Sequence, residues 1–150
     1  AAPVSRCTVV AHPVLADSPI PTRVRSGINA IEVWTATYNP RYLPDPRAFR
    51  LLHAMRRARP DVVGIAGLDQ HDSRNDRRTR VVLRADGDDP VAALRAGDFD
   101  NVGRTMRFDS GDGVRGVRLA ALSGARWVYD RVERVQDSIA RALRSPRGAP

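Results

Sequence analysis

The sequence contains no lysine, a single cysteine and no long apolar run, and each absence excludes a class of protein. One cysteine, Cys7, excludes an internal disulfide and favours a reducing compartment. No apolar segment approaches the roughly 20 residues that a membrane span needs, and the N-terminal residues lack the basic-then-apolar order of a secretory signal. We therefore expect a cytoplasmic protein with no membrane partner.

Positive charge is abundant, and all of it comes from arginine. The 25 arginines outnumber the 17 acidic residues and give a formal net charge of +8. Such a charge is typical of nucleic-acid binding, but the arginines are scattered, many alternate with aspartate, and no aromatic-and-basic motif accompanies them. We therefore do not predict a nucleic-acid partner. A surface this basic is expected to attract anionic substrates in a salt-dependent way.

Short β-branched runs predict four strands in the first half of the chain. They lie at Cys7–His12, Ile28–Trp34, Asp61–Gly67 and Thr79–Leu83. Helix-like segments separate several of them, and this alternation favours an α/β domain built around parallel strands. We expect one such domain over residues 1–144 and a disordered tail over 145–150.

Helix starts are marked by aspartate followed by proline. Asp45 and Asp89 each precede a proline, which predicts two helices that end before Pro60 and at Gly97. The glycine-rich residues 103–122 predict hairpin-like strands. Apolar residues at helical spacing over 123–144 predict a final amphipathic helix.

Two groups of candidate functional residues lie where a predicted strand meets a loop. His12 ends the first strand, and Asp69 and His71 follow the third. Reactive groups collect at the carboxyl ends of strands in parallel α/β folds. Imidazole nitrogen and carboxylate oxygen suit Zn, Mn or Fe, and alternation in an extended segment sends Asp69 and His71 to the same side. The pattern predicts a divalent metal site.

Each candidate also has a structural alternative. A His-Pro pair after a strand is often structural, and an Asp-x-His segment in a loop is often a turn with solvated side chains. Arg41 and Arg74 are candidates for holding a substrate phosphate, with solvated loop positions as the alternative. We expect His53 to be a packed or surface histidine of its helix. For Glu32, a place near the metal and simple packing both stay open.

Four segments in a fixed order resemble a known family. They are TVVAHP (8–13), IEVW (31–34), GLDQHD (67–72) and VVLRADGDDPVAALRAGDF (81–99). Over about residues 7–100 they are similar to the second half of the polymerase-and-histidinol-phosphatase (PHP) family of metal-dependent phosphoesterases. That family shows an AHP-like segment, a GIEVWN-like strand and a terminal GxDxH element. Thr35 stands where relatives often have asparagine.

The resemblance implies a fold and a metal site. The fold is the C-terminal part of a distorted seven-stranded β/α (PHP-type) barrel, truncated at the N-terminus. By resemblance, His12, Asp69 and His71 are metal ligands for Mn, Zn or Fe, and Asp69 is the candidate catalytic residue. The family's His-x-His motif is not in this sequence, so the implied site is incomplete.

The resemblance also implies an activity, hydrolysis of phosphate esters. We expect a phosphoesterase fragment that is weak or inactive alone and is completed by a missing N-terminal half or by a homo-oligomer. The alternative is a non-catalytic PHP-like domain that binds a partner chain or an anionic ligand.

Overall fold

A computed structural model of the chain describes residues 6–14, 20, 25–35, 43–67, 79–83, 89–103 and 105–144, which form a mixed α/β fold. The strands are β1 (Val9–Val10), β2 (Ala30–Thr35), β3 (Val63–Gly67), β4 (Thr79–Leu83), β5 (Phe99–Gly103) and β6 (Arg107–Asp109). The helices are α1 (Pro46–Arg56), α2 (Pro90–Ala96) and α3 (Gly116–Arg144). None of the helices in these parts of the chain is long and apolar enough to span a bilayer.

A parallel sheet of order β1-β2-β3 forms the centre of the fold. All six residues of β2 are buried, as expected for the middle strand of a covered parallel sheet. The predicted first strand is shorter than expected: only Val9 and Val10 pair with β2, because the chain turns at His12 into the left-handed region with φ 49°.

Helix α1 covers one face of this sheet and begins as its sequence predicts. Asp45 caps it by accepting a hydrogen bond from the backbone N–H of Arg47 at 2.8 Å, and Pro46 occupies its first turn. Phe49 and Leu52 are fully buried against the strands. Helix α2 is likewise capped by its predicted residue, Asp89.

A second sheet, of order β4-β5-β6, is antiparallel throughout. The prediction of hairpin-like strands over residues 103–122 is therefore wrong in extent: the hairpin is formed by β5 and β6, and α3 begins at Gly116. Gly113, in the loop before α3, and Gly116, the first residue of α3, adopt positive φ values of 58° and 54°.

The two sheets are joined along the outer edge of β3. The Asn101 side chain accepts a hydrogen bond from the Ala66 N–H at 2.6 Å and donates one to the Gly64 carbonyl at 2.9 Å. The Gly64 N–H donates to the Ser110 carbonyl at 2.6 Å. The side-chain amide of Asn101 thus makes the hydrogen bonds to β3 that a neighbouring strand would otherwise make. The described strands form two three-stranded sheets that do not close into a barrel.

Candidate functional site

His12 lies directly beyond the carboxyl end of β1, where it contacts Glu32 of β2 twice. Its backbone N–H donates to Oε2 of Glu32 at 3.0 Å, and its Nδ1 lies 2.9 Å from the same oxygen. The left-handed backbone of His12 brings both groups onto one carboxylate oxygen. This conformation is uncommon outside glycine, so it requires support from the surrounding contacts.

The Glu32 carboxylate is almost fully buried, with 7% of its side chain exposed against 28% for His12. Burial of an ionised carboxylate is costly unless hydrogen-bond donors compensate. The backbone N–H and the imidazole of His12 are such donors. Glu32 is placed beside them by an irregularity in β2, where Glu32 lies opposite Ile65 and Trp34 opposite Ala66, so that β2 holds one extra residue.

Gly67 closes the site on the side of β3. A β-carbon added to Gly67 would overlap Oε1 of Glu32. The carboxylate therefore has His12 against one oxygen and the last residue of β3 against the other. This contact brings the ends of all three parallel strands to one place, since Thr35 at the end of β2 is opposite Gly67.

The contacts of the imidazole define which ring nitrogen carries the proton. Nδ1 lies 2.9 Å from Oε2 of Glu32 and 3.3 Å from the hydroxyl oxygen of the buried Thr35. An ionised carboxylate only accepts hydrogen bonds, so Nδ1 is the donor beside it, and the neutral tautomer that fits this contact has its lone pair on Nε2. A histidine oriented by a carboxylate in this way is the common arrangement of metal-ligating histidines.

Arginine is the partner of five other described carboxylates, which sets Glu32 apart: Asp45, Asp61, Asp100, Asp112 and Asp130. Burial raises the pKa of Asp45, but hydrogen bonds from the guanidinium and N–H of Arg47 outweigh it and hold the pKa below its usual value. The Arg59 guanidinium lowers the pKa of Asp61 through a hydrogen bond. Glu32 instead holds an imidazole, a group that can also bind a metal.

The donor types at this edge fit a divalent cation, although two donors do not complete a site. Imidazole nitrogen and carboxylate oxygen suit Zn, Mn or Fe. Within the described ranges, no group of three or more His, Cys, Asp or Glu side chains converges. His53, expected to be structural, lies elsewhere on α1, where its Nε2 contacts the Asp112 carbonyl oxygen at 3.1 Å.

Of the residues predicted to bind metal or substrate or to act in catalysis, His12 is the one whose surroundings the structure describes. Asp69, His71, Arg41 and Arg74 lie outside the described residues. Sequence reasoning left Glu32 undecided and did not single out Gly67. A glutamate inside the apolar run IEVW was the available signal, because a buried carboxylate requires a partner.

Comparisons with known proteins found no match to this chain among family models, curated proteins or solved structures.

Proposed function

We propose that the chain is part of a metal-dependent phosphoesterase of the PHP type, with its metal site at the carboxyl ends of β1, β2 and β3. The observation that carries the proposal is the contact between Glu32 and His12, in which a buried carboxylate fixes the tautomer of an imidazole. In the same proposal, the two sheets are part of a larger β/α barrel that further strands complete.

Glu32 supports the proposal as a residue that orients a ligand. Because Nδ1 of His12 is turned toward Glu32, Nε2 is the proposed coordinating atom. The hydroxyl of Thr35 adds a second contact to Nδ1. Side chains held in this way lose little rotamer freedom when they bind a cation, which favours affinity.

The sequence after β3 supplies the remaining proposed ligands. Asp69 and His71 follow Gly67 by two and four residues. Asp69 is two residues beyond Gly67, and the proposal has its carboxylate act beside Glu32. His12, Asp69 and His71 would then hold the cation together, with Mn, Zn or Fe as the ions suited to these donors.

The proposed chemistry is hydrolysis of a phosphate ester. A divalent cation held by His12, Asp69 and His71 would supply Lewis-acid polarisation of a phosphoryl oxygen. Asp69 is the proposed catalytic residue, because a carboxylate beside the reacting group can accept a proton from an attacking water. Arg41 and Arg74 are the proposed phosphate-binding side chains, since guanidinium groups match phosphate oxygens in bidentate fashion.

Metal titration tests the proposal. We expect Mn²⁺ or Zn²⁺ to bind the whole chain at micromolar concentration by calorimetry, and the His12→Ala and Asp69→Ala/His71→Ala variants to bind at least tenfold more weakly. His53→Ala is the matched control and should bind like the unsubstituted chain, because His53 contacts Asp112 away from the site. Equal binding by all four proteins would refute the proposal.

Catalysis is tested separately, by adding the expected N-terminal half of the barrel. With a chromogenic phosphomonoester and Mn²⁺, turnover should be low for this chain alone and rise when the other half is supplied. Full turnover of the chain alone that is insensitive to His71→Ala would contradict the proposal.

A further inference from the structure

Helix α3 exposes a continuous row of apolar side chains. The helix has 29 residues, a length of about 43 Å, and Leu122 is its one buried residue. Seven large apolar side chains on it are at least half exposed: Val117, Trp127, Val128, Val132, Val135, Ile139 and Leu143. An exposed apolar surface of this extent is typical of an interaction site.

Val128, Val132, Val135 and Ile139, called the row from here on, lie on the side of α3 that faces away from the rest of the domain, whereas Trp127 lines a cavity with Asp45 and Arg50. Leu119 and Leu122 pack on the core, and the Ser123 hydroxyl accepts a hydrogen bond from Arg50 of α1 at 2.9 Å. At about 100° per residue, Val128 and Val135 lie on the opposite side of the helix from Leu119 and Ser123. Packing on α1 therefore leaves the row uncovered, with Val132 50% and Ile139 55% exposed.

The spacing within the row is that of a coiled coil. Val128, Val132, Val135 and Ile139 are separated by four, three and four residues, and Ala121, Ala125 and Ala142 continue the same spacing in both directions. This is the heptad pattern with apolar a and d positions, with Val132 and Ile139 at a. In parallel dimers β-branched residues occupy a, as Val132 and Ile139 do here, although Val128 and Val135 stand at d in place of the usual leucine.

A second copy of the helix is compatible with the residues that flank the row. In a parallel pair, Arg131 at position g lies against Gln136 of the other copy at position e, so no like charges meet. The acidic side chains of α3, Asp130, Glu133 and Asp137, lie on the far side of the helix. Two such rows remove on the order of 1,000 Å² from water, where specific interfaces begin.

We infer that α3 is a dimerisation helix and that two copies of this chain associate through it as a parallel two-stranded coiled coil. The row from Val128 to Ile139 forms the seam. This inference is independent of the metal site, because it rests on α3 alone.

Sedimentation and light scattering test the inference. We expect a dimer at micromolar concentration, and a shift of at least tenfold in the dissociation constant for Val132→Asp and for Ile139→Asp, with helicity by circular dichroism retained. Glu133→Lys, on the far side of α3, is the matched control and should remain dimeric. A monomer at 100-fold higher concentration, or a dimer that both aspartate variants leave unchanged, would overturn the inference.

The parallel orientation of the two helices has its own test. In a Cys7→Ser background, Ile139→Cys should form an intermolecular disulfide on mild oxidation, because equivalent a positions face each other in a parallel pair. In an antiparallel pair position 139 would face the opposite end of the row, and no such disulfide would form. A chain that stays monomeric and binds anionic lipid vesicles through the row would contradict the dimer.

Discussion

Glu32 and His12 are joined through one carboxylate oxygen, Oε2, which lies 3.0 Å from the backbone N–H and 2.9 Å from Nδ1 of His12. The contact links residues 20 positions apart and joins the end of β1 to the middle of β2. Because both donors belong to one residue, the contact fixes the backbone turn and the ring orientation together. The imidazole is thereby oriented so that Nε2 is the nitrogen proposed to bind a metal.

Gly67→Ala is predicted to disrupt this contact from the side of β3. The added β-carbon would overlap Oε1 of Glu32, and overpacking of a buried site costs about 1–3 kcal/mol. We expect a lower free energy of unfolding by urea denaturation and weaker metal binding.

The matched control for this prediction is Gly124→Ala on α3. Nothing lies within 4 Å of a β-carbon at Gly124, and alanine favours a helix over glycine by about 0.5–1 kcal/mol. Gly124→Ala should therefore stabilise the chain while Gly67→Ala destabilises it. Equal effects of the two substitutions would contradict the close approach at Gly67.

Asn101→Ala is predicted to separate the two sheets along β3. The substitution leaves the buried N–H of Ala66 and the carbonyl of Gly64 without the Asn101 amide. Each unsatisfied buried group costs about 1–3 kcal/mol. Hydrogen exchange should show faster exchange of the Ala66 amide, with a lower urea midpoint.

Asn29→Ala provides the comparison for Asn101. Asn29 also accepts a backbone hydrogen bond, from the Thr8 N–H at 2.9 Å, but in an exposed setting. Water can replace that hydrogen bond, so Asn29→Ala should lower the free energy of unfolding by less than about 1 kcal/mol. If Asn29→Ala lowered the free energy of unfolding as much as Asn101→Ala does, the buried amide of Asn101 would have no special role.

Asp45 predicts a pH dependence of stability. The pKa of Asp45 is lowered because the Arg47 hydrogen bonds outweigh the effect of burial. A carboxyl whose pKa is lower in the folded chain stabilises it above the unfolded value of about 4, and this contribution is lost as pH falls through the folded value. Asp45→Asn keeps the helix cap and removes the charge.

We therefore expect Asp45→Asn to lower the free energy of unfolding by about 1 kcal/mol at pH 7, allowing for the exposure of Arg47. The difference from the unsubstituted chain should shrink below about pH 4. Thermal unfolding between pH 2 and pH 7 measures it. Two curves that run parallel over the whole range would contradict the role assigned to the Asp45 charge.

Local signals in the sequence predicted the elements that local interactions specify. The aspartate–proline starts of α1 and α2 and the glycine end of α2 were correct, because each cap is formed by residues a few positions apart. The start of α3 was missed because the glycine-rich residues 103–122 predicted hairpin-like strands, whereas Leu119 and Leu122 pack on the core from a helix.

Contacts between distant residues could not be predicted in the same way. The Asn101 bridge joins residues 35 and 37 positions apart, and β4 pairs with β5 across 16 to 24 residues. The sequence identified His12 as a candidate ligand and Glu32 as undecided, because their contact arises only when β1 and β2 pair. Thr35, noted as a departure from the family pattern, contributes a hydroxyl to the same imidazole.

The most direct test of the account is the state of the His12 ring during a Zn²⁺ titration, followed by long-range ¹H–¹⁵N NMR. Before metal is added, Nδ1 should carry the proton; on saturation, the Nε2 resonance should shift while Nδ1 stays protonated. Glu32→Gln should weaken Zn²⁺ binding about 10–100-fold. A His12 ring that keeps its resonances at saturating Zn²⁺, or whose neutral form carries its proton on Nε2, would contradict the account.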